Sequence, residues 1–320
     1  MMRGTFFKEF FNRNGPLLGT YLLLAVAFWI IILIVLPQLS MLDYSFRFNL
    51  PPSAQGGEKD VYTMSNYQHF FNGSEGNPER LSIFGYQTDI PFNKVDIAVF
   101  FKTILAAIFV TAFDLALCYP LAYFLGQSAS GPSGRVLLLL LIIPYWVNEI
   151  LRAFAFRIIF GATGVINTVL VGVGILDTPI DFIRENVALY AGLGYAYLLL
   201  MIFPIYNAIE SLDRNQIEAA RDLGSPWWRI HWRIVIPFAK PGIVSGCTMV
   251  FMLTAGALAA PQILGGPSSL WFTQIIYQWF NTGGNWPRGA AYAVVLLFIC
   301  IVFVLAMMRL FKVKMGEIGK

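Results

Sequence analysis

Long stretches without charge dominate this chain and leave it few ways to fold. From Tyr21 to Leu36 no residue is charged, and the apolar run continues past Pro37 to Leu39. Further apolar runs occupy 98–125, 136–155, 187–208, 241–262 and 289–309, with Asp114 and Pro120 inside the first of these and Glu149 inside the second. A helix rises about 1.5 Å per residue, so about 20 apolar residues cross a hydrocarbon core roughly 30 Å thick. Unpaired backbone groups are too costly in lipid for such runs to be anything but helices, since the alternation and turn spacing of a β-barrel are missing. An all-α integral membrane protein with six transmembrane helices is therefore expected. Composition agrees, with 57% hydrophobic and 12% charged residues, where a soluble domain has about 25% charged. The first run is followed by Met41-Leu42-Asp43-Tyr44, which offers no small-x-small cleavage site, so it reads as an uncleaved helix over 21–40. Cys118, Cys247 and Cys300 lie inside apolar stretches with no CxxC spacing and read as packed thiols. With His69 and His231 the only histidines, no metal site is expected.

Lys and Arg set the orientation. With the N-terminus inside, the cytosolic segments are 1–20, 126–135, 209–240 and 310–320; with Arg309 they hold 13 of the 22 basic residues. Both termini are thus expected in the cytosol. The segment 41–97, rich in Pro, Gly, Asn and acids, reads as a long ordered external loop or cap. Gly161 to Asn186 is too apolar for a free loop and reads as a short interfacial helix or a re-entrant element. A permease-like core with helices 2 to 6 would then occupy 98–309, ending in a short tail at 310–320.

The most informative segment is the largest cytosolic loop. It reads Glu218-Ala219-Ala220-Arg221-Asp222-Leu223-Gly224, then nine residues, then Ile234-Val235-Ile236-Pro237. Gln216 to Leu223 is built of good helix formers, and Gly224 is a helix C-terminus signal. Pro226 suits the first turn of a second short helix over 227–235, and Pro237 is expected to stop it before the fifth span. The interleaved Trp227, Trp228, Arg229, Trp232 and Arg233 resemble a nucleic-acid-binding run. Between two spans, however, Trp and Arg are favoured at the headgroup level, so no nucleic-acid partner is expected.

These residues resemble the "EAA" loop of ABC-importer permeases, the MetI-like family, in which EAA is followed by three residues, Gly, nine residues and Ile-x-Leu-Pro. Every spacing matches, with Ile236 in place of the usual Leu. Tyr119-Pro120-Leu121-Ala122-Tyr123, Pro144-Tyr145-Trp146 with Arg152, Gly164 to Asn167, Asp177 to Pro179, Leu264-Gly265-Gly266-Pro267 and Asn285-Trp286-Pro287 are similar to the spermidine/putrescine branch of that family. The resemblance runs from about residue 98 to the end; before that, only the layout of one span and a long external loop is shared. It implies a MetI-like permease fold, a bacterial inner-membrane location and a coupling loop seated in an ATP-binding subunit. Glu218, Ala219, Ala220, Arg221, Asp222 and Gly224 would form that contact. The implied partners are a second homologous permease, two ATP-binding subunits and an extracytoplasmic solute-binding protein, all within membrane lipid.

The chain itself has no Walker A sequence, since Gly316 to Lys320 lacks the spacing, so it is not expected to be an enzyme. No cofactor is expected here; ATP and Mg would sit on the partner. Acids inside spans are costly and mark candidate path residues. Glu149 is expected to share a helical face with Tyr145 and Trp146 at i−4 and i−3, a setting suited to an amine cation. The alternative is a pair with Arg152. Asp114 reads as a second counter-charge or as a bond to a neighbouring helix, and Tyr197 as path lining or core packing. The small, uncharged Thr254 to Pro261 stretch departs from the polyamine pattern and leaves open an amino-acid derivative, an opine or another small organic solute. A secondary transporter or channel is the reading from a different class.

Overall fold

The computed structural model describes residues 11–12, 15–54, 56–58, 60–73, 80–83, 86–91, 93–128, 132–267, 269–314 and 316; the expectations for segments 1–10 and 317–320 lie outside them. In chain order the elements are α1 (Pro16–Ser45), α2 (Ser65–Asn72), a hairpin of β1 (Arg80–Ile83) and β2 (Tyr86–Pro91), α3 (Lys94–Gln127), α4 (Pro132–Ile142), α5 (Glu149–Ile159), α6 (Val165–Gly172), α7 (Val187–Glu210), α8 (Arg214–Asp222), α9 (Trp227–Ala255), α10 (Ala259–Leu264), α11 (Phe272–Asn281) and α12 (Trp286–Phe311). The fold is helical throughout its apolar part, and the antiparallel hairpin is an addition within the segment between α2 and α3.

Among the described residues α1, α3, α7, α9 and α12 are long and apolar enough to cross a membrane. The run 136–155 is not one straight helix. It breaks between Val136–Trp146 and α5, which meet at 92°, and makes a sixth crossing when the bent pair is counted as one span. The cause is local. Val147 and Asn148 take extended backbone angles, and the Asn148 side chain accepts the Ile150 N–H at 2.9 Å, which caps a new helix. The run 241–262 is also divided, since α9 ends at Ala255 and α10 follows as a separate short helix.

Pro237 does not stop a helix, contrary to expectation: α9 runs unbroken from Trp227 through it. A π-helical turn at His231–Val235 precedes the proline. Similar wide turns lie at Ile31–Val35 before Pro37 and at Phe124–Ser128 after Pro120. A proline ring clashes with the carbonyl four residues back and leaves it without a donor, and the widened turns ahead of Pro37 and Pro237 make room for both; the turn after Pro120 lies on the wrong side to do so.

The core of the bundle is α7, packed between α3 and α9. Its crossing with α9 is close because Gly242 and Gly246 lie one turn apart on α9, in the small-xxx-small pattern of membrane helix pairs. A Cβ on Gly246 would fall 2.9 Å from Met201 Sδ and 3.1 Å from the Met201 carbonyl oxygen, and one on Gly242 would fall 2.8 Å from Ala208 Cβ. On the other side of α9, Phe251, Phe100, Phe272, Tyr292 and Phe70 form a second, aromatic cluster. Helix α1 differs from the rest: nothing in its most apolar window is buried, while its Leu36–Ser45 end packs against α12 and bonds α2 through Ser45.

Beyond α1 the chain is pinned by polar contacts. Arg47 pairs with Asp43 and Asp60, each at 2.7 Å. Asn66 on α2 donates to the carbonyls of Ser45 and Arg47 at 3.0 and 2.8 Å. The 161–186 stretch holds α6, and buried Asn167 fastens it by bonding both the N–H and C=O of Ile180.

Candidate coupling loop and membrane path

Helix α8 carries the Glu-Ala-Ala sequence. Asp213 caps it, accepting the Asn215 N–H at 3.0 Å. At its other end Gly224 has φ +73°, its N–H bonds the Arg221 carbonyl at 2.8 Å, and the Ser225 N–H bonds the Ala220 carbonyl at 3.0 Å. This pair of bonds is a Schellman closure, which requires a left-handed residue at the position Gly224 fills. Ile217 is the buried anchor of α8. Glu218, Ala219, Arg221, Asp222 and Gly224 are exposed, Ala220 is half-buried, and Leu223 is 86% exposed.

The loop is tied to the bundle at points that the sequence reading missed. The Tyr119 hydroxyl on α3 lies 2.8 Å from His231 Nδ1 on α9, and the Tyr123 ring is 4.4 Å from the His231 ring. Gln127 donates through Nε2 to the carbonyls of Ile209 and Leu212 at 2.7 and 3.1 Å, satisfying the open C-terminal end of α7. The inner ends of α3, α7 and α9 are thus joined beside α8. Gln127 carried one sequence signal, a lone amide just past an apolar run.

The membrane path residues gather around α7, but not in the arrangement expected. Because the chain breaks at 147–148, Tyr145 and Trp146 do not share a helical face with Glu149. Trp146 is 87% exposed and points away from the core. The Tyr145 hydroxyl donates to the Tyr195 carbonyl at 2.5 Å and accepts the Leu199 N–H at 3.2 Å. Those two groups are four residues apart on α7, so the hydroxyl bridges a pair that an α-helix ordinarily joins directly.

Glu149 instead meets Tyr197, whose hydroxyl donates to Glu149 Oε1 at 3.3 Å. Among the described residues Glu149 makes no ion pair with Arg152. The Arg152 guanidinium lies over the rings of Tyr145, at 4.6 Å, and Tyr195, at 5.8 Å. Its Nε and Nη1 are buried without hydrogen-bond partners. Glu149, Arg152, Tyr195 and Ala260 line one cavity of about 10 Å³, room for about one water. Asp114 on α3 is apart from this group and 1% exposed. Its Oδ2 has no hydrogen-bond partner, and its Oδ1 faces Gly194 of α7, where a Cβ would lie 2.8 Å away.

A helical membrane bundle with a capped, exposed Glu-Ala-Ala element at one end has the build of a transport component that works with other chains. The comparisons agree: residues 118–314 match the family described as "binding-protein-dependent transport system inner membrane component", and the chain belongs to that family. It is 30% identical over 279 residues to the spermidine/putrescine transport system permease protein PotB of Haemophilus influenzae, covering 86% of this chain and 88% of that one. In structure it resembles a bacterial ABC transporter involved in import of the acidic polysaccharide alginate, with TM-score 0.66, 16% identity and coverage of 97% of this chain and 98% of that one. The alginate transporter in complex with its pentasaccharide-bound periplasmic protein gives TM-score 0.64 at 16% identity, covering 93% and 94%. At that identity these structures share the fold. Family membership sets aside the secondary-transporter reading.

Proposed function

We propose that this chain is a permease subunit of an ABC importer that carries a polyamine, spermidine or putrescine, from a solute-binding protein into the cytosol. The observation that carries the importer role is the exposed, Schellman-closed α8, set in the chain between α7 and α9 where Gln127 and the Tyr119–His231 contact join both of those helices to α3. A push on α8 would move α3, α7 and α9 together. Two ATP-binding subunits would supply that push and hold the ATP and Mg, docking on Glu218, Ala219, Ala220, Arg221, Asp222 and Gly224. A second permease would complete the path, with both termini in the cytosol and the segment 41–97 outside. Coupling follows if the two conformations of the bundle bind the ATP-binding subunits with different affinity.

Polyamine as the solute rests on the 30% identity to a spermidine/putrescine permease and on Glu149, which bonds Tyr197 and shares a cavity with Tyr195, an acid with aromatic rings suited to an amine. A second reading, an amino-acid derivative or opine, is favoured by one observation. Arg152 shares the Glu149 cavity and holds unpartnered nitrogens, an arrangement suited to a solute that carries a carboxylate as well. The deciding experiment is ATPase activity of the complex, reconstituted with its binding protein and screened against spermidine, putrescine and other small organic solutes. Stimulation by a polyamine, with Glu149→Gln raising the half-saturating concentration about tenfold, about 1.4 kcal/mol, is the expected result. Stimulation by a carboxylate-bearing solute, lost in Arg152→Gln, would replace polyamine with the second reading. An absence of any co-purifying ATPase would overturn the importer assignment.

A further inference from the structure

Outside the coupling loop and the path, three elements meet through one polar chain. His69 lies on α2, Tyr292 near the start of α12 and Asp96 in the first turn of α3. The Tyr292 hydroxyl donates to Asp96 Oδ2 at 2.5 Å and sits 3.1 Å from His69 Nδ1. A phenol has one hydrogen, and the carboxylate takes it, so His69 Nδ1 must carry the hydrogen of the second bond. The neutral imidazole is therefore the Nδ1–H tautomer, and its Nε2 is the atom that gains a proton in acid.

The surroundings of His69 work against that proton. The Trp279 ring from α11 lies 5.5 Å away, edge to face. Arg288 of α12 lies over Trp279 at 4.8 Å and repels a charged imidazole, while Asp96 attracts it. Asn93 holds Asp96 by donating to Oδ2 at 2.7 Å, and also donates to the His69 carbonyl at 3.2 Å. The next residue of α2, Phe70, is buried against Phe100, Phe272 and Tyr292. The seat of α2 is thus apolar, with a single titratable base at its polar edge.

We propose that the His69–Tyr292–Asp96 chain is a proton-sensitive latch, which seats α2 on the ends of α3 and α12 when His69 is neutral and releases it when His69 is protonated. His69 is on this view a positioning residue: it fixes the face that α2 offers, and touches no solute. Burial first, then the charge of Arg288, push the imidazole below its ordinary value of 6.5, with Asp96 opposing. A released α2 exposes His69 to water and lets it bind a proton more readily. The released form therefore binds more protons, and the seated form is favoured as pH rises and disfavoured as pH falls below about 6.5. The latch itself stands on the contacts alone, but the pH it senses is the external one only if 41–97 lies outside, as in the proposed importer.

The test is hydrogen exchange of the α2 amides in the full complex in nanodiscs, expressed as protection factors at pH 7.5 and 5.5. Wild type is expected to lose protection severalfold at the lower pH. His69→Asn keeps a donor near the Nδ1 position and cannot titrate, so it should stay protected at both. Tyr292→Phe, which removes the middle link, should be weakly protected at both. Equal protection of the wild type at the two pH values, or the same loss in His69→Asn, would overturn the latch. Labelling of Asn72→Cys by a membrane-impermeant maleimide in intact cells checks the external placement separately; failure there would refute external sensing and leave the exchange result to decide the latch.

Discussion

Gly224 shows how much one residue can fix. It is exposed, and a Cβ added there would meet nothing within 4 Å. Crowding therefore plays no part, and only the backbone conformation demands glycine. A branched residue at φ +73° costs about 1–2 kcal/mol, enough to reopen the end of α8 without disturbing the buried bundle. Gly224→Val is expected to abolish substrate-stimulated ATPase activity with normal insertion, whereas Gly224→Asn, which tolerates the left-handed region, should retain most of it. Glu218→Lys should likewise uncouple, because Glu218 is exposed on α8 and does not support the fold; normal transport by either Gly224→Val or Glu218→Lys would refute the coupling role. Sequence offered this position fully, since acid, glycine and proline stand at fixed offsets. It offered Asp114 only with two readings open, because the meaning of that acid depends on Gly194 facing it from another helix.

At the scale of elements, apolar length marked where helices lie but not where they break. The 136–155 run is apolar enough on average to read as one span, yet Pro144, Asn148 and Glu149 are a helix-start signature placed inside it. Reading that signature over the hydropathy would have taken Tyr145 off the helical face of Glu149 and left each to meet α7 separately, Tyr145 at the Tyr195 and Leu199 backbone and Glu149 at the Tyr197 hydroxyl. The opposite error occurred at Pro237, where a helix-breaking residue proved compatible with a continuous helix because the His231–Val235 turn widens ahead of it. Helix crossings follow a rule that was legible but unread, the four-residue spacing of Gly242 and Gly246. Gly246→Leu would force a large side chain into Met201, an overpacking that costs about 1–3 kcal/mol. Its expected outcome is a lower melting temperature of the detergent-solubilised protein, with Gly246→Ala intermediate. An unchanged melting temperature for Gly246→Leu would show that α7 and α9 are held by other contacts.

For the whole molecule, the striking asymmetry of burial is between α7, of which 61% of the apolar window is buried, and α1, of which none is. In so uneven a bundle α1 presents Leu17, Tyr21, Leu24 and Trp29 outward along its length. Lipid satisfies such a surface, and so does a second permease subunit. The packing of the Leu36–Ser45 end of α1 against α12 has a further consequence for the order of assembly. Its partner is the last long helix of the chain, so a nascent polypeptide emerging N-terminus first would make α1 at the outset and leave it without its neighbour until synthesis is nearly over. A chain cut off before Trp286 would have every helix of the α3, α7 and α9 core and still lack the long helix on which its first crossing packs, so that closing the molecule becomes the final act of making it.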